Sequence, residues 1–345
     1  MISVQERQEE TLQVGVLGAG FMGETHARCY AALREAVVAK IYAPSETRAM
    51  LLAEELDAAC TNDIDEVLSD ESIQVVSVCL PTPQHPEAAT KALEAGKHVL
   101  CEKPLALSEE EGRHVFAVAE RSDRTLMVGH VLRFWPEYIE LHRLVSSGEL
   151  GRPVTGFASR RSTFPTWSEL YRNPELTGGT VLDLQIHDLD VLNWIFGEAV
   201  WVQSEGVENP GSRGRDHNVI TVGYEGAFAV AEGSIMMPPS YPFSATLRVL
   251  CEKGFVEYGF KAVGSGVETG AASGTGLIVY PEEGEPRSIA VEQVDPYQSQ
   301  IDYFAECVRH RTRPERVSPQ DALSALRVAL AAGESMQRGA RISVS

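Results

Sequence analysis

Three short strings carry residue types that could do chemistry together: Gly18-x-Gly20-x-x-Gly23, Glu102-Lys103-Pro104 and Asp183-x-x-x-His187. The first follows the apolar run Leu12–Leu17 and opens a helix-like stretch, the setting in which a dinucleotide pyrophosphate is held. Gly18 allows the tight turn, Gly20 lets the backbone approach the pyrophosphate and Gly23 lets the helix pack closely. Phe21 and Met22 lie between them, where the free N–H groups of a helix start would face phosphate. Lys103 ends another apolar run and precedes proline, which biases its backbone to the extended form and lets the ammonium enter a cleft. Asp183 and His187 are four apart, hence on one face of a helix. Histidine suits proton abstraction near neutral pH, and the aspartate can bind a hydroxyl or orient the site. A dinucleotide site, a cation and a proton acceptor are the parts needed to take a hydride from an alcohol carbon. Each string also has a plainer reading: an ordinary strand-to-helix turn, a solvated loop charge, an exposed helix pair. Their order and context carry the argument. A metal held by Asp183, His187 and His217 is the lesser alternative, because hydride transfer between carbon atoms has no evident need of one; no metal is expected.

The elements that must position these residues follow from the hydrophobic pattern. Up to about Val128, apolar runs at Leu12–Leu17, Val37–Tyr42, Val75–Leu80, Val99–Cys101 and Leu126–Val128 alternate with helical stretches. Those lie around Met22–Leu33, Glu46–Leu56, Pro86–Ala95 and Glu109–Arg121, with Ser45 and Ser108 as N-caps. Such alternation predicts a doubly wound parallel sheet, the α/β class, in an N-terminal Rossmann unit over residues 1–130. Beyond a helix at Pro136–Ser146 the pattern becomes β-rich, with runs around Val154–Ser159, Val219–Tyr224, Phe228–Ile235, Thr246–Leu250 and Leu277–Tyr280. A second, α+β unit over residues 131–345 with a large, mostly antiparallel open sheet is predicted, interrupted by a helix over 181–195 and closed by helices near Gln298–Arg309 and Pro319–Gln337. The Gly-, Ala- and Ser-rich stretch Gly264–Gly276 reads as a loop or hairpin.

In an NAD site an acidic residue is expected about twenty positions after the glycine turn, on the ribose hydroxyls. Ala43 occupies that place, in Ile41-Tyr42-Ala43-Pro44-Ser45. Without a carboxylate to repel a 2′-phosphate, and with Ser45, Thr47 and Arg48 close by, NADP becomes admissible and is slightly favoured over NAD. Arg48 is as readily a solvated helix side chain.

Bulk properties bound the partners. The chain has 345 residues, long enough for two cores, and carries 30 basic against 49 acidic residues, a formal charge of −19. That charge argues against nucleic acid and anionic membrane as partners. Six scattered cysteines without CxxC spacing read as reduced thiols, and neither a signal-like N-terminus nor an apolar run of membrane length is visible, so a cytoplasmic protein is expected.

Four stretches together resemble the Gfo/Idh/MocA oxidoreductases (glucose–fructose oxidoreductase, inositol dehydrogenase, rhizopine catabolism): Gly18–His26, Cys79–His85, Ala95–Leu105 and Gly178–Asp188. The resemblance spans nearly the whole chain. It implies a Rossmann domain, an α/β domain whose open sheet often mediates a homodimer or homotetramer, and NAD(P)-dependent oxidation of a hydroxyl on a sugar, inositol or related polyol between them. It carries the lysine over to Lys103, the helix aspartate to Asp183 and the histidine to His187. Leu80, Pro81, Thr82, His85 and Glu102 fall in the stretches that would border the cofactor, though His85 could equally serve helix packing. Arg133, Arg160, Trp167, Tyr171, Asn173 and Tyr297 lie where a polyol-binding wall could form, and Phe134-Trp135 reads as interdomain core. Two other functions compete: a cofactor-retaining hydrolase or lyase that oxidises its sugar transiently, and a non-catalytic dinucleotide or sugar sensor. The sensor would be expected to lose part of the Lys103, Asp183 and His187 trio, which is complete.

Overall fold

The computed structural model describes residues 11–166, 169–262 and 273–344. In chain order the strands are β1 Leu12–Leu17, β2 Ala36–Tyr42, β3 Ala59–Thr61, β4 Val75–Val78, β5 His98–Cys101, β6 Leu126–Val128, β7 Pro153–Thr163, β8 Trp201–Glu208, β9 Arg215–Tyr224, β10 Ala227–Met237, β11 Ser244–Cys251, β12 Gly254–Lys261, β13 Ser273–Pro281, β14 Arg287–Ile289 and β15 Ile342–Ser343. The helices are α1 Phe21–Ala32, α2 Glu46–Glu55, α3 Asp65–Leu68, α4 His85–Glu94, α5 Glu109–Ser122, α6 Pro136–Ser146, α7 Pro174–Thr177, α8 Ile186–Phe196, α9 Pro296–His310 and α10 Pro319–Arg338.

β1 to β6 form one sheet in the order β3-β2-β1-β4-β5-β6, every pair parallel. Helices cover both faces of such a sheet, so its central strands read as unbroken apolar runs; all four residues of β4 are buried. The strand order reverses between β1 and β4, and the crevice outside the carboxyl ends of those strands is where ligands of this architecture bind. The short β3 joins the edge of the sheet without having been legible: two of its three residues are exposed, so no apolar run marks it.

The second sheet runs β14-β13-β12-β11-β7-β10-β9-β8-β15 and is antiparallel except for the parallel pair β7 and β10. One face is packed by α6, α8 and α10, through Tyr138, Leu141, Leu189, Leu192, Leu326 and Ala329 against Val222, Ala231 and Leu247. On strands of its other face Val219, Phe228 and Leu250 stay 40–46% exposed. β8 and β12 were missed as strands because Gly206, Gly254 and Gly259 interrupt their apolar periodicity. β13 begins inside the stretch expected to be a loop; positions 264–272 of that stretch fall outside the described residues.

The helix expected over 181–195 is in two parts. Val181–Gln185 is a single π turn, and the α-helix α8 begins only at Ile186. Asp183 thus lies in the π turn and His187 in the first turn of α8. Ser108 caps α5 as expected, accepting from Glu111 N at 3.3 Å, whereas the Ser45 side chain makes no capping bond to α2.

Candidate active site

The glycine loop fits a dinucleotide at the level of single atoms. Gly18 has φ +114°, and a Cβ there would stand 2.4 Å from the Cys79 carbonyl oxygen. At Gly23 a Cβ would lie 1.9 Å from Gly18 O, so the helix can seat on the turn only with glycine at this position. Gly20, between them, has nothing within 4 Å of its would-be Cβ. Two glycines are thus dictated by the protein's own backbone, whereas the third guards space in front of a helix start. That is the cradle a pyrophosphate requires. Phe21, half exposed, opens α1 beside this space and Met22 follows it. Ala43, buried at the end of β2, and exposed Ser45 and Arg48 lie across the sheet's crevice, with no carboxylate at Ala43. Leu80, Pro81 and Thr82 leave the end of β4 and turn into α4. The ring nitrogens of buried His85 lie 2.8 Å from Pro104 O and 2.6 Å from Leu80 O, tying that loop to the segment after Lys103; burial holds its pKa below the usual histidine range.

Below the crevice runs a buried polar chain. His26 of α1 sets Nδ1 2.6 Å from Ser77 Oγ of β4 and Nε2 3.1 Å from Glu102 Oε1. The second carboxylate oxygen, Glu102 Oε2, accepts from Lys103 N at 3.2 Å. Burial works to lower the His26 pKa, but Cys79 and Glu102 outweigh it and raise it to about 10. Burial likewise works to raise the Glu102 pKa, and the hydrogen bond and charge of His26, with Lys103, hold it below its usual range. With 6% exposure, Glu102 is a strut joining α1, β4 and the backbone of Lys103. Its space exists because residue 129 is glycine, whose Cβ would come within 2.8 Å of Glu102 Oε1. His26 and Ser77 escaped the sequence reading. The signal was available: His26 shares the buried face of α1 with Gly23, Ala27 and Tyr30, and a polar side chain on a buried face needs a partner.

From this strut Lys103 reaches across to the second unit. Its Nζ donates to the Asp183 main-chain oxygen at 2.5 Å and lies 3.4 Å from Asp183 Oδ1. Asp183 lies in the π turn, a kind of irregularity common at functional sites, and its main-chain oxygen accepts the ammonium there. His187, one step into α8, is partly open, while its Nδ1 is buried without a partner. Burial, then the positive charges of Lys103 and Arg160 and the neighbouring His130, hold its pKa well below the usual histidine value, so the imidazole is neutral and able to accept a proton. The phenol of Tyr171 is raised by burial and by the charge of Asp183, which puts it beside the same turn.

Two candidates for a polyol wall are corrected by their partners. Arg160 is clamped by Asp188, Nε to Oδ2 and Nη2 to Oδ1 both at 2.9 Å, with Tyr138 behind it. Arg133 makes the same kind of clamp with Asp190 and also meets Asp321 Oδ1 at 3.2 Å. Both arginines are at most 5% exposed. A guanidinium so engaged has its fork filled by carboxylate, and these pairs tie β7 and the Val131–Phe134 turn to α8, beneath His187. Asn173 caps α7 through Glu175 N and is exposed. Tyr297 packs at the start of α9, and its phenol is raised by burial and by Glu102. Trp167 lies outside the described residues. His217, on β9, forms no three-residue metal set with Asp183 and His187 among the described residues.

A parallel sheet with a glycine cradle at its switch point, meeting an open antiparallel sheet across a lysine, an aspartate and a histidine, defines a two-sheet, dinucleotide-dependent dehydrogenase. Family models agree. The oxidoreductase family with an NAD-binding Rossmann fold matches residues 12–130, and the GFO/IDH/MocA C-terminal domain matches 138–257. The chain belongs to the GFO/IDH/MocA oxidoreductase family. Over 340 residues, 96% of each chain, it is 28% identical to the scyllo-inositol 2-dehydrogenase (NAD(+)) of Bacillus subtilis (strain 168). It is 28% identical over 342 residues, again 96% of each chain, to an uncharacterized oxidoreductase, YrbE, of the same organism. Among solved structures, GenD2 from gentamicin A biosynthesis, in complex with NAD, superposes with a TM-score of 0.83 at 22% identity over 99% of both chains. An aldose-aldose oxidoreductase from Caulobacter crescentus, complexed with glycerol, does so with a TM-score of 0.83 at 22% identity, covering 97% of this chain and 100% of that one. Among the described residues no helix is long and apolar enough to cross a membrane.

Proposed function

We propose that the protein oxidises a ring hydroxyl of an inositol, sugar or related polyol, with Lys103, Asp183 and His187 gathered round the reacting carbon. One observation carries this reading: Lys103, held from behind by the Glu102 strut, crosses from the first sheet to the π turn that leads into His187. Neutral His187 takes the hydroxyl proton, Lys103 donates a hydrogen bond to the oxygen as negative charge develops on it, and Asp183 positions the substrate through a neighbouring hydroxyl. A nicotinamide dinucleotide, when bound, supplies the hydride acceptor, and the Gly18–Gly23 turn with the start of α1 would hold its pyrophosphate. The relative named as a scyllo-inositol 2-dehydrogenase supports the substrate class. The preference for NADP suggested by Ala43 finds no support in that relative, named for NAD(+), or in GenD2, whose structure is a complex with NAD. We further read the chain as dividing near residue 130, and the open face bearing Val219, Phe228 and Leu250 as the surface on which a second copy packs.

Steady-state rates with inositols and aldoses, against NAD and NADP in turn, test the reading. With the best substrate, His187→Ala should lower kcat by roughly a hundred- to ten-thousandfold, the usual value of a general base, while cofactor affinity stays near wild type. Near-normal turnover of His187→Ala across the pH range would remove His187 from the mechanism.

A further inference from the structure

At the opposite end of the first sheet, a strand's length from Lys103, the chain forms a half-open cavity of about 1100 Å³. Its walls come from the starts of β5 and β6, from α5 and from the segment joining α9 to α10. Lys97, Arg113, Arg124, Arg311 and Arg313 line it, against Glu71, Glu120 and Asp123. This positive excess stands in a chain of charge −19. At physiological salt, charges more than about 8 Å away are largely screened, so the local set governs what enters.

How these cations are held matters more than their number. Arg124 donates from Nε to Gly96 O at 2.7 Å and from Nη1 to Asp123 O at 3.1 Å. Buried Lys97 donates to Asp70 O at 2.6 Å and Ile73 O at 2.8 Å. Main-chain carbonyls fix both groups in place and leave the charge un-neutralised. Arg113 is paired with Glu109, but the Arg311 and Arg313 guanidinium groups enter no ion pair among the described residues. His98 accepts from Thr125 N at 3.0 Å through Nδ1. Burial and the charges of Arg124 and Arg311 lower its pKa to about 4, so the neutral ring carries its proton on Nε2 and offers a further donor. The three carboxylates are exposed, whereas Lys97 is buried and Arg124 and His98 are partly so. Phe116, Pro314 and Leu323 supply an apolar wall beside the donors.

We propose that this cavity binds a small organic phosphate, its phosphate on Arg124, Arg311 and Arg313 and its organic part against Phe116. Arg124 and Lys97 are fixed before a ligand arrives, Arg311 and Arg313 add positive charge that no ion pair among the described residues neutralises, and the cavity is larger than an inorganic anion needs. The site is separate from the dinucleotide crevice, which lies at the carboxyl ends of the same strands.

Calorimetric titration of the full chain, saturated with dinucleotide, with phenyl phosphate and with inorganic phosphate is the test. Phenyl phosphate should bind saturably with one site per chain and more tightly than inorganic phosphate. The Arg311→Gln/Arg313→Gln variant, altered only at exposed side chains, should melt like wild type, keep its turnover and bind phenyl phosphate about tenfold or more weakly. Absence of saturable binding to wild type, or equal binding by wild type and variant, overturns the site. Equal affinity for the two probes overturns its assignment to an organic phosphate.

Discussion

Substituting Gly20 and Gly23 separately divides the glycine turn into its ligand-facing and protein-facing halves. At Gly20 the backbone is extended, φ −78° and ψ −170°, and a new Cβ meets nothing within 4 Å. Gly20→Val thus strains nothing in the folded chain beyond a poorer residue at the N-cap of α1, a cost of about 1 kcal/mol. In a chain of this size that lowers Tm by about 1–2 °C. Its methyl groups would occupy the space that the pyrophosphate must enter. If two charge-assisted bonds from the helix start are lost, each worth about 1.5–3 kcal/mol, dinucleotide affinity falls by about a hundred- to ten-thousandfold. Gly23→Val is the converse case. Its Cβ would stand 1.9 Å from Gly18 O and 2.6 Å from Gly18 C, both backbone atoms, so α1 must lift from the turn. Overpacking of this kind costs at least about 1–3 kcal/mol, and here no flexible side chain can yield. Thermal melts and calorimetric titration with NAD on both variants separate the effects: Gly20→Val keeps its fold and loses ligand, while Gly23→Val loses stability first. Wild-type affinity in Gly20→Val, or equal destabilisation of the two, would refute the assignment of Gly20 to the pyrophosphate.

Ala43→Asp should shift preference toward NAD by restoring a carboxylate at the end of β2; an unchanged ratio of NAD to NADP affinities would show that residue 43 does not face the ribose. Because burial and neighbouring positive charge lower the His187 pKa, the acid limb of the kcat/KM profile should lie below pH 6.5, activity being retained as pH falls toward that limb; a limb above 6.5 would contradict a neutral, depressed imidazole. Asp188→Asn strands the Arg160 charge and should cost about 3–5 kcal/mol in denaturant unfolding, whereas replacing both partners by apolar residues should restore much of it. Equal stability of the single variant and wild type would mean that Arg160 reaches water.

What the sequence disclosed and what it concealed differ by the kind of interaction. Elements built on local pattern were legible: β1, β4 and β6 are apolar runs, α5 carries its Ser108 cap, and the glycine spacing marks a strand-to-helix turn whatever surrounds it. The break of the 181–195 helix was not, because no local pattern marks a π turn whose Asp183 carbonyl meets an ammonium 80 residues away in sequence. The arginines show the same limit more sharply. Arg133 and Arg160 look from the sequence like polar wall residues, since a guanidinium is usually solvated or bound to ligand. In space each meets an aspartate on α8, Asp190 or Asp188, and with Asp183 and His187 these acids occupy one eight-residue stretch. A stretch of that composition on an apolar helix, with Leu189, Val191 and Leu192 fully packed, has to import positive charge to be buried at all. Asp188 and Asp190 draw theirs from Arg160 and Arg133, while Asp183, at the π turn, meets Lys103. The division of labour along α8 therefore follows from which acids the core encloses: the enclosed pair fixes the helix, and the less buried Asp183 is left facing the crevice with the lysine and the histidine.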